Sequence, residues 1–318
     1  MPPSNHRPRT QEKSRLSSRS GLLRLTAAVS GIAALAYAAA LARAIRGELS
    51  VGHPMHHAVP RAADDSWFDA ARDVELRTPK GVVVRGWVHG STNGAAVLLV
   101  DGSGADRTAL LPQAQLLSAA GYGVLVYDRP GEGESGGRPY GPDEADFLRV
   151  AIDALASEPG VRADGIGAYG FSSGADFLAE AAAADTRIRG VVLAGSYTDA
   201  EQFVLHFGGR GPLTGWPALW TFRWAGYARP RPLAVIPAIA PRPVFFVVGD
   251  EDSVDPPELS QQLYTAASEP KELWVVPGAG HGDYMRVAGP EFARRLVAFF
   301  DRALTPAPPA RASLRTRP

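Results

Sequence analysis

The chain has no cysteine, so a disulfide framework and a thiolate metal site are both excluded, and cysteine usage says nothing about its redox compartment. It also has no formal net charge, because 33 Lys and Arg balance 33 Asp and Glu. That balance conceals an asymmetry. Eight basic residues and one acid fall within residues 1–46, and three arginines with no acid within 305–318, which leaves 22 basic and 32 acidic side chains for residues 47–304. An acidic body argues against a nucleic-acid surface. No internal repeat is present.

Long charge-free stretches are scarce, and the one that stands out lies near the N-terminus. Arg7, Arg9, Lys13, Arg15, Arg19 and Arg24 precede the apolar run 25–42, and Arg43 and Arg46 follow it. Eighteen helical residues span about 27 Å, close to the roughly 30 Å hydrocarbon core of a bilayer. Positive charge is denser before the run than after it, which predicts a cytoplasmic N-terminus and an exported body. The run therefore reads as a transmembrane signal anchor within residues 21–46, preceded by a basic cytoplasmic segment at 1–20. A secreted product, cut after Ala40-Leu41-Ala42, is the second reading, and a soluble alanine-rich helix the third. No Arg-Arg pair precedes the run, which weakens a twin-arginine signal. Residues 47–69 mix His, Pro, Gly and Asp without period and read as a linker. A histidine cluster such as His53, His56 and His57 in a linker is more often incidental than metal-binding, and no metal or organic cofactor is expected. The Pro-, Ala- and Arg-rich residues 305–318 read as a disordered tail.

Residues 70–304 alternate short apolar runs with helical patterns. Runs at 74–78 and 82–89 suggest an antiparallel hairpin. Further runs at 95–100, 123–127, 165–169, 191–194, 244–248 and 272–276 are apolar without alternation, and helical patterns separate several of them. Such strands predict an α/β domain with a mostly parallel eight-stranded sheet and helices on both faces. The strand at 165–169 leads into Gly170-Phe171-Ser172-Ser173-Gly174, a G-x-S-x-G pattern followed by an alanine-rich helical stretch. A serine on a tight strand-to-helix turn projects its hydroxyl from the sheet edge, and glycines two residues either side let strand and helix pack closely. Ser172 is thus the candidate nucleophile.

A serine hydroxyl needs a base to take its proton and a carboxylate to orient that base. Of seven histidines, His6 precedes the apolar run and His53, His56 and His57 lie in the linker. His89 ends an early strand and His206 falls in an irregular insertion. His281, in the glycine-flanked loop Gly280-His281-Gly282 after the last strand, sits where active-site residues gather in open α/β sheets. The loop after the preceding strand carries Asp250, Glu251, Asp252 and Asp255, and Asp199 follows an earlier strand. The residues alone do not choose among these acids.

The order serine, acid, histidine resembles that of the α/β-hydrolase fold family over about residues 70–304. Asp128-Arg129-Pro130-Gly131-Glu132-Gly133-Glu134-Ser135 is similar to that family's D-x-x-G-x-G-x-S turn, Gly249-x-x-Asp252 to its acid loop, and Gly280-His281-Gly282 to its histidine loop. The closer likeness is to serine-aminopeptidase-like hydrolases with a small lid and an N-terminal membrane segment. The resemblance implies Ser172, Asp252 and His281 as catalytic residues, with the backbone N–H groups of Ser173 and Ser103 as oxyanion hole. Asp101-Gly102 departs from the usual His-Gly before that second donor. The resemblance also implies a lid at residues 198–242. Several prolines there, Pro212, Pro217, Pro230, Pro232 and Pro237 among them, predict a compact irregular insertion, and Trp216, Trp220 and Trp224, spaced by four, would stripe one side of a helix. That stripe either packs the lid onto the body or lines the entrance for an apolar acyl substrate.

These readings converge on a serine hydrolase cleaving an ester through an acyl-enzyme on Ser172, tethered to a membrane with its catalytic domain on the extracytoplasmic side, or secreted. An acyltransferase, a peptidase or amidase on the same triad, and a catalytically silent hydrolase-fold binding protein are the alternatives.

Overall fold

The computed structural model describes the backbone of residues 10–61, 65–206 and 211–305, and their side chains from residue 24 onward, His206 apart. The first nine residues, His6 among them, and the expected tail beyond Thr305 lie outside the described residues.

A long helix, α1 (Thr10–Val51), leads into the body. Two short strands, β1 (Met55–His56) and β6 (Glu132–Gly133), pair in parallel beside the main sheet. That sheet contains β2 (Ala71–Arg77), β3 (Val83–His89), β4 (Ala96–Val100), β5 (Gly123–Tyr127), β7 (Ile166–Phe171), β8 (Ile188–Ala194), β9 (Val244–Gly249) and β10 (Lys271–Val276). Their order is β10-β9-β8-β7-β4-β5-β3-β2. The two pairings made by β3 are antiparallel and the rest parallel. The helices are α2 (Leu111–Ala119), α3 (Glu144–Ala156), α4 (Ser173–Ala184), α5 (Ala200–His206), α6 (Pro212–Trp224), α7 (Pro232–Val235), α8 (Pro257–Ala266) and α9 (Tyr284–Leu304).

The absence of alternation in the strands has a direct cause. Ala96, Leu98 and Val100 of β4 pack with Phe147 and Leu148 of α3 and Leu178 of α4, whereas Val97 and Leu99 pack with Leu117 of α2 and Phe300 of α9. Both faces are covered, so both sets must be apolar. On α9, Phe292, Leu296, Phe299, Phe300 and Leu304 recur at helical spacing and are buried. Burying a large apolar side chain contributes about 1.5–3 kcal/mol. That gain holds α9 together although Pro290 lies inside it and Ala288 departs from helical geometry.

Two expectations are corrected. Residues 47–69 are not a free linker: α1 continues to Val51, and Trp67 and Phe68 are buried, with Phe68 edge-on to Trp87 at 4.8 Å. The period-free sequence hid this because two aromatic anchors suffice to fix a segment without regular structure. The insertion between β8 and β9 is more helical than its prolines suggest. α6 runs 13 residues with Pro217 inside it. A proline leaves the carbonyl four residues back without its helical donor. Here that carbonyl belongs to Leu213, and it accepts instead from the Tyr37 hydroxyl of α1 at 3.1 Å.

Candidate active site

Ser172 occupies the turn between β7 and α4 with φ 51° and ψ −133°, a backbone that non-glycine residues rarely adopt. Its neighbours explain the glycines. A Cβ on Gly174 would lie 2.1 Å from the Asp101 carbonyl oxygen, and one on Gly170 would lie 2.6 Å from the Ala175 Cα. The strand and helix approach that closely only where no side chain intervenes.

The ends of β9 and β10 bring partners to this serine. His281 Nε2 lies 3.0 Å from Ser172 Oγ, and His281 Nδ1 lies 2.8 Å from Asp252 Oδ2. Asp252 is buried, and its other oxygen accepts from the backbone N–H groups of Val254 at 2.9 Å and Asp255 at 2.8 Å. Two loops are thereby locked to one imidazole. Burial alone would lower the His281 pKa, but the hydrogen bond to Asp252 and the neighbouring negative charge outweigh it, so the pKa stands above the ordinary 6.5.

The other acids are placed elsewhere. Asp250 Oδ1 accepts from the Gly278 N–H at 2.6 Å, tying the two loops together. Asp199 accepts from the Glu201 N–H at 2.8 Å at the start of α5 and pairs with Arg231. Asp255, one of the four acids in the loop after β9, has its Oδ2 3.7 Å from His281 Nδ1. It is fully buried with both carboxyl oxygens unpartnered, and burial pushes its pKa up to about 8. His89 stacks against Trp67 and pairs with Val124 near the start of β5, at the opposite end of the sheet from Ser172, and His57 Nε2 lies 2.7 Å from Asp106 Oδ2.

Ser103 and Ser173 meet beside Ser172. Among the described residues neither backbone N–H has a hydrogen-bond partner. Their hydroxyls do more than expected. Ser103 Oγ lies 2.7 Å from Ser173 Oγ and 2.5 Å from the Tyr140 hydroxyl, and Ser173 Oγ accepts from Arg129 at 2.8 Å. Arg129 is fully buried and paired with Glu144 at 2.8 Å. The same D-x-x-G-x-G-x-S turn supplies Glu132, which accepts from the Gly104 N–H at 2.8 Å. This turn therefore braces the loop that carries Ser103. Asp101, where histidine is usual, accepts from the Gly102 N–H at 2.6 Å, and burial raises its pKa to about 7.

A cavity of about 520 Å³ opens onto Ser172. Tyr197, Phe203, Val204 and Phe222 of the insertion line it, and so do Val51 and Met55 from the end of α1 and beyond. Trp216, Trp220 and Trp224 do not. They are 60%, 68% and 72% exposed, because α6 turns Ala218, Leu219 and Phe222 inward. Neither expected role of the stripe, packing or lining, matches that placement. Nothing in the sequence separated the face of α6 that meets the body from the face that does not.

A serine on a strand-to-helix elbow of a mostly parallel sheet, with an acid and a histidine at later strand ends, defines the α/β-hydrolase fold. The Pyrococcus furiosus esterase Pf2001 shares it, with TM-score 0.67 and 23% identity, over 80% of this chain and 98% of that one. Residues 110–307 match the prolyl oligopeptidase family, and the chain belongs to it. The matched region includes Ser172, Asp252 and His281 but not Ser103. The Mycobacterium tuberculosis protein Rv2307c is 32% identical over 229 residues, 71% of this chain and 76% of that protein. Polyketide transferase ATR5 of Stachybotrys chlorohalonatus is 24% identical over 73% of this chain and 97% of its own length.

Proposed function

We propose that the protein is a serine hydrolase that cleaves a carboxylic ester through an acyl-enzyme on Ser172. The observation that carries this reading is the continuous chain Ser172, His281, Asp252, with contacts of 3.0 and 2.8 Å, at the mouth of an apolar-walled cavity. His281 Nε2 takes the Ser172 proton as Oγ attacks the carbonyl carbon, while Asp252 holds the ring and stabilises the imidazolium. The N–H groups of Ser103 and Ser173 stabilise the oxyanion, each contributing roughly 3 kcal/mol to barrier lowering. Collapse breaks the bond to the alcohol oxygen, which leaves with the proton from His281. Water then repeats the sequence on the acyl-enzyme and releases the acid. Residues 198–242 act as the lid, and Phe203, Val204 and Phe222 within it select the acyl group.

Acyl transfer is the second reading, favoured by the likeness to a protein named a polyketide transferase. The triad is the same, and the acceptor alcohol replaces water. Labelling with a fluorophosphonate probe tests the shared chemistry. Wild-type protein is expected to label and Ser172→Ala not to; equal labelling of both sinks the proposal, and no labelling of wild type favours a silent binding protein. Product analysis with added glycerol then separates hydrolysis from transfer, and a peptide p-nitroanilide substrate tests the peptidase activity that the family name suggests.

α1 anchors the chain in a membrane, with the catalytic domain on the extracytoplasmic side. Within Arg24–Val51 an 18-residue stretch has mean hydropathy 1.8, and none of that stretch is buried by the body. Cell fractionation with protease protection tests this, and a wholly cytosolic protein would refute it.

A further inference from the structure

Leu213, Trp216, Trp220 and Trp224 run along one exposed side of α6. Single exposed apolar residues are ordinary, but four large ones in line mark a contact surface. Their position relative to α1 identifies the partner. α6 lies alongside α1 and points the same way. The Tyr37 hydroxyl donates to the Leu213 carbonyl near the start of α6, and the Tyr227 hydroxyl donates to the Leu49 carbonyl just past its end, both at 3.1 Å. Depth along α1 therefore reads across to α6. With about 1.5 Å of rise per residue in both helices, the tryptophans stand roughly level with residues 40, 44 and 48 of α1.

The apolar run of α1 exposes Leu25, Val29, Ile32 and Leu35, and the exposed arginines Arg43 and Arg46 close it. A bilayer that takes residues 25–42 as its core has its phosphates near those arginines. The tryptophans lie at that same depth, in the boundary layer where tryptophan is favoured. Because the two helices run side by side, this depth holds whichever way α1 is rotated. The cavity reaches the same level: Gly47, Ser50 and Val51 at the end of α1, and His53 just beyond it, line it together with residues of the insertion.

We propose that the tryptophan side of α6 is immersed in the headgroup layer of the bilayer that α1 enters, and that the cavity is loaded from that layer with a bilayer-resident acyl ester. This rests on the reading of Ser172 as nucleophile and α1 as membrane helix. Hydrolysis consumes one water, cleaves the acyl C–O bond, and yields a fatty carboxylate, a proton and an alcohol with no redox partner.

The test uses the full-length protein in phosphatidylcholine vesicles, with monooleoylglycerol as the bilayer ester and p-nitrophenyl acetate as the water-soluble one. The variant carries Trp216→Ser, Trp220→Ser and Trp224→Ser. Acetate hydrolysis is expected to stay within twofold of wild type, while monooleoylglycerol hydrolysis falls at least tenfold. Brominated phosphatidylcholine should quench wild-type tryptophan emission and lose most of that effect in the variant. Equal loss of both activities would assign the tryptophans to the fold and overturn the proposal. Unchanged monooleoylglycerol turnover or absent quenching would overturn it too, as would a wild-type dimer that the substitutions dissociate. Acetate turnover without monooleoylglycerol turnover, despite quenching, would overturn the substrate class. If neither ester is cleaved and no fluorophosphonate label appears, the serine-hydrolase reading fails, and quenching still reports on the membrane contact separately.

Discussion

Asp252 and Asp255 stand three residues apart and reach the same imidazole, yet the loop serves them differently. Asp252 has both oxygens partnered, whereas Asp255 has neither and its pKa is pushed up to about 8 by burial. In the unfolded chain an aspartate ionises near pH 4. Between about pH 4 and 8 the unfolded state thus gives up a proton that the folded state keeps, so this side chain costs increasing stability as pH rises. Asp255→Asn should raise Tm more at pH 8 than at pH 5, and calorimetry showing the same gain at both would refute this. His281 shifts upward from 6.5, and a general base must be neutral. The acid limb of kcat/KM should therefore lie above pH 6.5. Asp252→Asn removes the hydrogen bond that raises the pKa, so the limb should move to lower pH and kcat should fall about 10⁴-fold. A pH–rate profile with an unmoved limb would argue that Asp252 does not set the base.

At the scale of elements, the elbow is a tight joint between strand and helix. Gly174→Ala puts a methyl 2.1 Å from a backbone oxygen at the end of β4, and neither backbone can give way without disturbing the sheet. A loss of about 1–3 kcal/mol in denaturant stability is expected, together with most of the activity, since the same shift moves Ser172. Phe222→Ala should enlarge the cavity and shift ester-chain preference toward longer acyl groups, measured with a series of p-nitrophenyl esters. An unchanged preference would remove Phe222 from substrate selection. The parallel strands were legible because burial on two faces leaves uninterrupted apolar runs, as in Ala96–Val100. α6 was less so: Pro217 signals a break, and only the hydroxyl of Tyr37, some 176 residues away, takes up the carbonyl it frees.

Across the whole molecule, the basic N-terminal segment and the acidic body give the chain a polarity along α1. An uncleaved anchor predicts that the full chain stays in the membrane pellet through an alkaline carbonate wash. Mass spectrometry should then find no product beginning at Arg43; such a product would favour the secreted reading. The sheet, the serine on its elbow and the histidine loop were legible in the residues alone, because each depends on local pattern: apolar runs, glycine spacing, a loop at a strand end. Tertiary structure decided what local pattern cannot carry. It placed Asp252 and not Asp250 or Asp199 on His281, and it brought Asp255 beside them. It turned the tryptophans of α6 outward and set the end of α1 against the cavity. Each of these depends on which distant segments meet, and that is fixed by packing rather than by the residues on either side.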